Sequence, residues 1–137
     1  MIQEQLAFLP EFLPDYRPFP PARERTVWQE LPQRVKDRFL QAGEAALQTP
    51  LAPLPLSLWL DFTRTGRRAA WEDAYFSRRA RLCALVCAEC VEHKGRFLDA
   101  IADTVWTLCE ESAWQLPAHN SYVRDTPQLP LPDTTPV

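Results

Sequence analysis

The chain has 137 residues, a formal net charge of −3 and a pI near 5.4, with 46% hydrophobic and 24% charged residues. That is room for one domain with one main core. The acidic balance removes the electrostatic case for nucleic acid or an anionic membrane surface, because phosphate binding needs a basic excess. The longest apolar run falls far short of the roughly 20 residues a membrane span needs. The start, MIQEQLAFLPEFLP, lacks the basic opening and continuous apolar segment of a secretory signal. A cytoplasmic chain is therefore expected, with Cys83, Cys87, Cys90 and Cys109 as reduced thiols.

Residues 1–22 carry Pro10, Pro14, Pro18, Pro20 and Pro21. Proline lacks the amide hydrogen and fixes φ, so this stretch reads as an extended arm. Its Phe8, Leu9, Phe12, Leu13, Tyr16 and Phe19 suit an arm lying on a helical body better than a solvated linker. Helical segments follow over 23–120. Pro21 and Pro32 suit first turns, giving a short helix at Ala22–Glu30 and a longer one at Gln33–Gln48. Leu54, Leu56, Leu58, Leu60 and Phe62 alternate as a strand would. Nothing else in the chain alternates to pair with them, so Ser57–Arg64 is read as a helix.

After the turn at Thr65–Arg68, a fourth helix runs from about Trp71 or Ala74 to His93. Its centre, ARLCALVCAECV, is apolar nearly all round, which predicts an inner helix covered on several sides. Lys94-Gly95 is the stop signal. A fifth helix over 96–113 follows at once, so helices four and five should be antiparallel neighbours. Phe97, Leu98, Ile101, Ala102, Val105, Leu108 and Cys109 share one broad apolar face of it. Residues 121–137 are proline-rich again and contain no closing element. The fold class is all-α, built of antiparallel helix hairpins. An inner helix with at most four others to cover it suggests the front part of a larger helical domain.

Three groups of residues could carry chemistry. Cys83, Cys87 and Cys90 lie on one helix at spacings of four and three, inside an Ala/Leu/Val run. Small apolar packing accounts for them better than zinc, so no metal or cofactor is assigned and all four cysteines are expected to be buried. Arg78, Arg79 and Arg81 read either as a solvated face paired with Glu72, Asp73 or Asp99, or as guanidinium forks for substrate carboxylates. His93, one turn after Glu89 and in the last turn of its helix, reads as structural.

Trp114, His119 and Asn120 form the best constellation: a flat apolar ring, an imidazole and the chain's only asparagine, just past a helix end. Such a set can stack on a sugar ring and bond its hydroxyls or carboxylate. It can equally be a loop that caps the helix.

Between Tyr75 and Asn120, YFSRRARLCALVCAECVEHKGRFLDAIADTVWTLCEESAWQLPAHN resembles the N-terminal part of bacterial heparinase II/III-like proteins. The matching features are the Arg-rich start of an apolar helix, the run Glu89 to Asp99, and Cys-Glu-Glu-Ser-x-Trp followed by Pro-Ala-His-Asn. The similarity extends back to about Phe19. It implies a partial (α/α) toroid, normally followed by a C-terminal β-sandwich domain, and an acidic polysaccharide or oligosaccharide as ligand. Family members with known activity are polysaccharide lyases, which cleave uronic-acid-containing glycans by β-elimination. The family's neutralising Asn and its Tyr acid/base lie further downstream and match no residue here, so the catalytic residues are not assigned. Trp114, His119 and Asn120 carry over as substrate contacts, and the chain alone is expected to be inactive. The alternative is a small helical binding or scaffold module without catalysis.

Overall fold

The computed structural model describes residues 17–119, and among them the chain is all-α. Five helices follow in order: α1 (Arg25–Gln29), α2 (Gln33–Gln48), α3 (Leu56–Thr65), α4 (Ala69–Glu92) and α5 (Leu98–Cys109). A single 3-10 turn, Pro117–His119, comes last. Residues 1–16 of the expected arm, Asn120 and the tail 121–137 lie outside the described residues.

Proline starts two of the helices. Pro32 and Pro55 hold extended ψ values of 138° and 146° immediately before α2 and α3. Their carbonyls accept from Val35 and Leu58, opening the first turns. The helix expected at Ser57–Arg64 is α3, despite its alternating leucines. Backbone groups satisfied inside a helix need no second strand. It ends at Gly66, whose φ of 76° is a left-handed cap that favours glycine.

The long helix α4 is the spine. Gly43 faces Ala88 while Arg81 reaches Ala46 and Thr49, so α2 runs antiparallel to α4. Glu89 reaches Phe97, Arg81 reaches Thr104 and Arg78 reaches Glu111, so α5 does the same on another side. The hairpin expected across Lys94-Gly95 is therefore present.

Its turn is built differently from the expected basic stop. His93 is not in the last turn; it is the cap itself, in left-handed conformation at φ 56°. Glu89, buried within α4, then accepts from the amide of Gly95 at 2.7 Å and from that of Phe97 at 3.3 Å. One side-chain carboxylate thus holds both amides of the reversal.

Two hydrophobic clusters lie along the spine. Ala46, Leu85, Ala88 and Phe97 form one where α2, α4 and α5 meet, with Leu40, Ala84, Ala100 and Ile101 packed around. Trp59, Leu60, Trp71 and Tyr75 form the other, at the start of α4, with Leu54, Leu58, Ala113 and Leu116.

Several sequence expectations are corrected. α4 is not covered all round: Cys83 and Val86 are exposed. α5 ends at Cys109, four residues short of 113. Its broad apolar face is split. Phe97 is buried and Ile101 and Leu108 are partly covered, whereas Leu98, Ala102, Val105 and Cys109 are exposed. Four cysteines were expected in the core, yet Cys83 and Cys109 are exposed and Cys87 and Cys90 only partly covered. A face apolar by composition stays open where none of the described elements lies over it.

Candidate functional site

The basic cluster at the start of α4 turns inward. Arg78 donates from Nε to the carbonyl of Ala52 at 2.6 Å and from Nη1 to Oε1 of Glu111 at 3.1 Å. Arg79 donates from Nη2 to the other oxygen of Glu111 at 2.7 Å. Its guanidinium also lies 3.2 Å from the ring centroid of Tyr75. The side chain of Glu111 is only 3% exposed and is shared by both arginines. Arg81 belongs to a separate network. Its Nη1 donates to the carbonyls of Ala46 and Thr49 at the C-terminal end of α2, and its Nε donates to Oγ1 of the buried Thr104. A cation at a helix C-terminus is the favourable placement. The solvated face paired with Glu72, Asp73 or Asp99 is thus not what forms. The arginines find acceptors far off in sequence instead.

This network mounts the loop after α5. Tyr75, under Arg79, donates its hydroxyl to the carbonyl of Trp114 at 2.6 Å. Trp114 is therefore fixed by its backbone to α4, five residues beyond the end of α5, and not at that helix's edge. Trp114 as a residue is 65% exposed. Pro117 is buried and opens the 3-10 turn, whose last residue, His119, is exposed. Its amide donates to the carbonyl of Leu116 at 2.9 Å. Trp114 and His119 are thus both surface residues of one short loop. Asn120, the third residue of the expected site, lies outside the described residues.

Beneath this loop lies a cavity of about 270 Å³. Trp59 and Trp71 stand on its wall, in edge-to-face contact with centroids 5.0 Å apart. Leu54, Leu56, Arg78, Glu110 and Glu111 are among the other residues that line it. It brings together ring faces, a guanidinium and carboxylates, the groups that grip a polar ring. Reading the sequence missed all of these except the arginines as a class. The available signal was Glu110-Glu111 within the run ending at Trp114, since two acids beside an aromatic are natural counterions for a paired arginine.

A second, more apolar groove of about 390 Å³ runs between α2 and α4, with Val35, Phe39, Ala42, Cys83 and Cys87 on its walls. Among the described residues no group of three or more His, Cys, Asp or Glu side chains is placed to hold a metal ion. No described helix is long and apolar enough to cross a membrane. No family model matches the chain, and no curated protein matches it.

Proposed function

We propose that the chain is the N-terminal toroid segment of a heparinase II/III-like polysaccharide lyase acting on uronic-acid-containing glycans. By itself it binds glycan and does not cleave it. The observation that carries this reading is Trp114, a largely exposed residue whose backbone is held by Tyr75, itself stacked under the Glu111-paired Arg79. An exposed ring on an anchored backbone suits stacking on a sugar. His119 on the same loop, with Asn120 following it in sequence, would supply polar contacts. The two antiparallel pairs, α2 with α4 and α4 with α5, are units from which a toroid could be continued. The open apolar side of α5 gives the next hairpin a place to pack. The further toroid and a β-sandwich domain are the partners this reading implies. Four free thiols accord with a reducing cytoplasm.

β-Elimination needs a group that quenches the carboxylate, a base for the C5 proton and an acid for the leaving oxygen, all held around one ring. This chain supplies contacts on one side of such a ring. Purified 1–137 mixed with heparin, heparan sulfate or alginate should therefore give no unsaturated-uronate absorbance. It should still bind an oligosaccharide of one of them, with quenching of tryptophan fluorescence that Trp114→Ala abolishes. Turnover by the isolated chain, or binding indifferent to Trp114→Ala, would sink this reading.

A helical binding module without catalysis is the second reading. It is favoured by the exposed stripe Leu98, Ala102, Val105 and Cys109, whose four-three-four spacing is that of a helix seam. A chain that binds no uronan but captures an amphipathic helical peptide through that stripe would decide for it.

A further inference from the structure

The groove between α2 and α4 is open and apolar, and the described chain begins near one end of it. Val35, Phe39, Ala42 and Cys87 stand on its walls, around about 390 Å³ of space. Arg25 donates from Nη1 to the carbonyl of Cys90 at 2.7 Å and from Nη2 to that of Val91 at 2.9 Å. The segment before α2 is thereby pinned to the C-terminal end of α4. Trp28 donates its indole N–H to the carbonyl of Pro21 at 3.2 Å, and Arg17 pairs with Glu24 at 3.6 Å, so the chain is held to this anchor back to its first described residue. Cys87 is three residues from Cys90, about 4.5 Å along the helix.

Ahead of Arg17 the sequence holds a tandem repeat, Phe8-Leu9-Pro10-Glu11 and Phe12-Leu13-Pro14-Asp15. Each unit is two large apolar side chains, a proline and an acid. A proline every fourth residue is incompatible with a helix, and so short a stretch cannot build a core around its own aromatic rings. They need an outside surface. The second unit is within reach of the groove, because Leu13 lies four residues before Arg17, at most about 13 Å of extended chain. Charge agrees with this. Arg38 stands on the groove wall and forms no ion pair among the described residues, while Glu11 and Asp15 flank Phe12-Leu13-Pro14. Opposite charges at a rim set orientation more than affinity. The exposed stripe of α5 adjoins the exposed acids Asp99 and Asp103, which would repel Glu11 and Asp15.

We propose that the α2–α4 groove is the docking site of this chain's own second Phe-Leu-Pro-acid unit, with Phe12 and Leu13 seated against Val35, Phe39 and Cys87. Glu11 and Asp15 lie on the Arg38 side. The seat is the end of the groove nearest the Arg25 anchor, and Cys83, one turn further along α4 from Cys87, is left at the open end. This docking is independent of the glycan reading above.

The test uses the full 1–137 chain with Phe12 replaced by the photoreactive p-benzoylphenylalanine, irradiated in dilute solution and mapped by mass spectrometry. Adducts within one chain, on residues 35–42 of α2 or on Cys87, are expected. Adducts on 98–109 of α5, adducts joining two chains, or no adduct at all would overturn the proposal. A second measurement follows chymotrypsin cleavage after Phe12 and Leu13 in the full chain. Ala42→Glu changes an exposed helix position on the groove wall and also engages Arg38 one turn back. It should speed that cleavage about tenfold, because cleavage tracks the population of undocked arm. Val105→Lys, on the α5 stripe, should leave the rate unchanged. Equal rates in Ala42→Glu and the parent chain, or a faster rate in Val105→Lys, would overturn the proposal, and the crosslinking decides it even if Ala42→Glu does not fold.

Discussion

Glu111 is the residue on which most of the loop geometry depends. It is a carboxylate taken almost wholly out of water, and it stays charged at acceptable cost because two guanidinium groups bond it. Removing one member of such a set leaves the others buried and uncompensated. Glu111→Gln is therefore expected to lower stability by about 3–5 kcal/mol in urea unfolding. It should also free the Trp114 loop, raising the solvent quenching of its fluorescence. Glu44 and Arg96 form an ion pair too, and that hydrogen bond holds the Glu44 carboxyl below its usual pKa. Both are open to water, so Glu44→Gln should leave the unfolding midpoint unchanged within error. The thiols give another contrast. Burial, then the neighbouring Cys83 and Cys90, raises the pKa of Cys87, and burial raises that of Cys90. Less thiolate and less access should make these two slow toward iodoacetamide at neutral pH, with exposed Cys83 and Cys109 modified first. Peptide mapping of a time course would show the order, and early labelling of Cys87 would contradict it.

Between helices, two close approaches set the geometry. Gly43 lets α2 cross α4 at a distance no side chain permits: a Cβ there would stand 2.3 Å from the Cβ of Ala88 and 3.0 Å from the ring of Phe97. Gly43→Ala should cost about 1–3 kcal/mol, although alanine is the better helix former. A stabilised Gly43→Ala protein would show that α2 does not sit so close. The α4–α5 reversal rests on Glu89, whose two oxygens serve the amides of Gly95 and Phe97. Glu89→Ala orphans both amides and should cost about 2–4 kcal/mol. His93→Gly should instead be neutral to mildly stabilising, because it removes the left-handed strain of a side chain at φ 56°. Thermal unfolding of the pair measures the two effects with opposite signs.

For the whole molecule, the outer side of α5 matters most. Leu98, Val105 and Trp106 are large and exposed, and Ala102 and Cys109 continue the stripe. A soluble domain seldom leaves such a face bare. Val105→Lys, at its centre, should reduce self-association of the 1–137 chain in light scattering. It should shift stability by no more than about 0.5 kcal/mol, as an exposed substitution does. A large loss of stability would mean that the face is already covered.

The sequence by itself determined the helices and the pairing of α4 with α5. Proline before α2 and α3, glycine after α3, and apolar residues recurring at helical spacing act over a few residues, so each is visible in a short window. The alternating leucines of α3 misled only locally, because a lone strand has no ladder to join. Tertiary structure decided the rest. Arg78 finds Glu111 across 33 residues, and Tyr75 finds Trp114 across 39. Which acid neutralises an arginine, and which hydroxyl pins a loop, depend on the antiparallel register of α4 and α5. That register follows from how Phe97, Ala88 and Gly43 close on one another. The same packing left Cys83 and Cys109 outside a core that their composition alone would have given them. Burial belongs to a pair of surfaces, and one chain segment describes only its own.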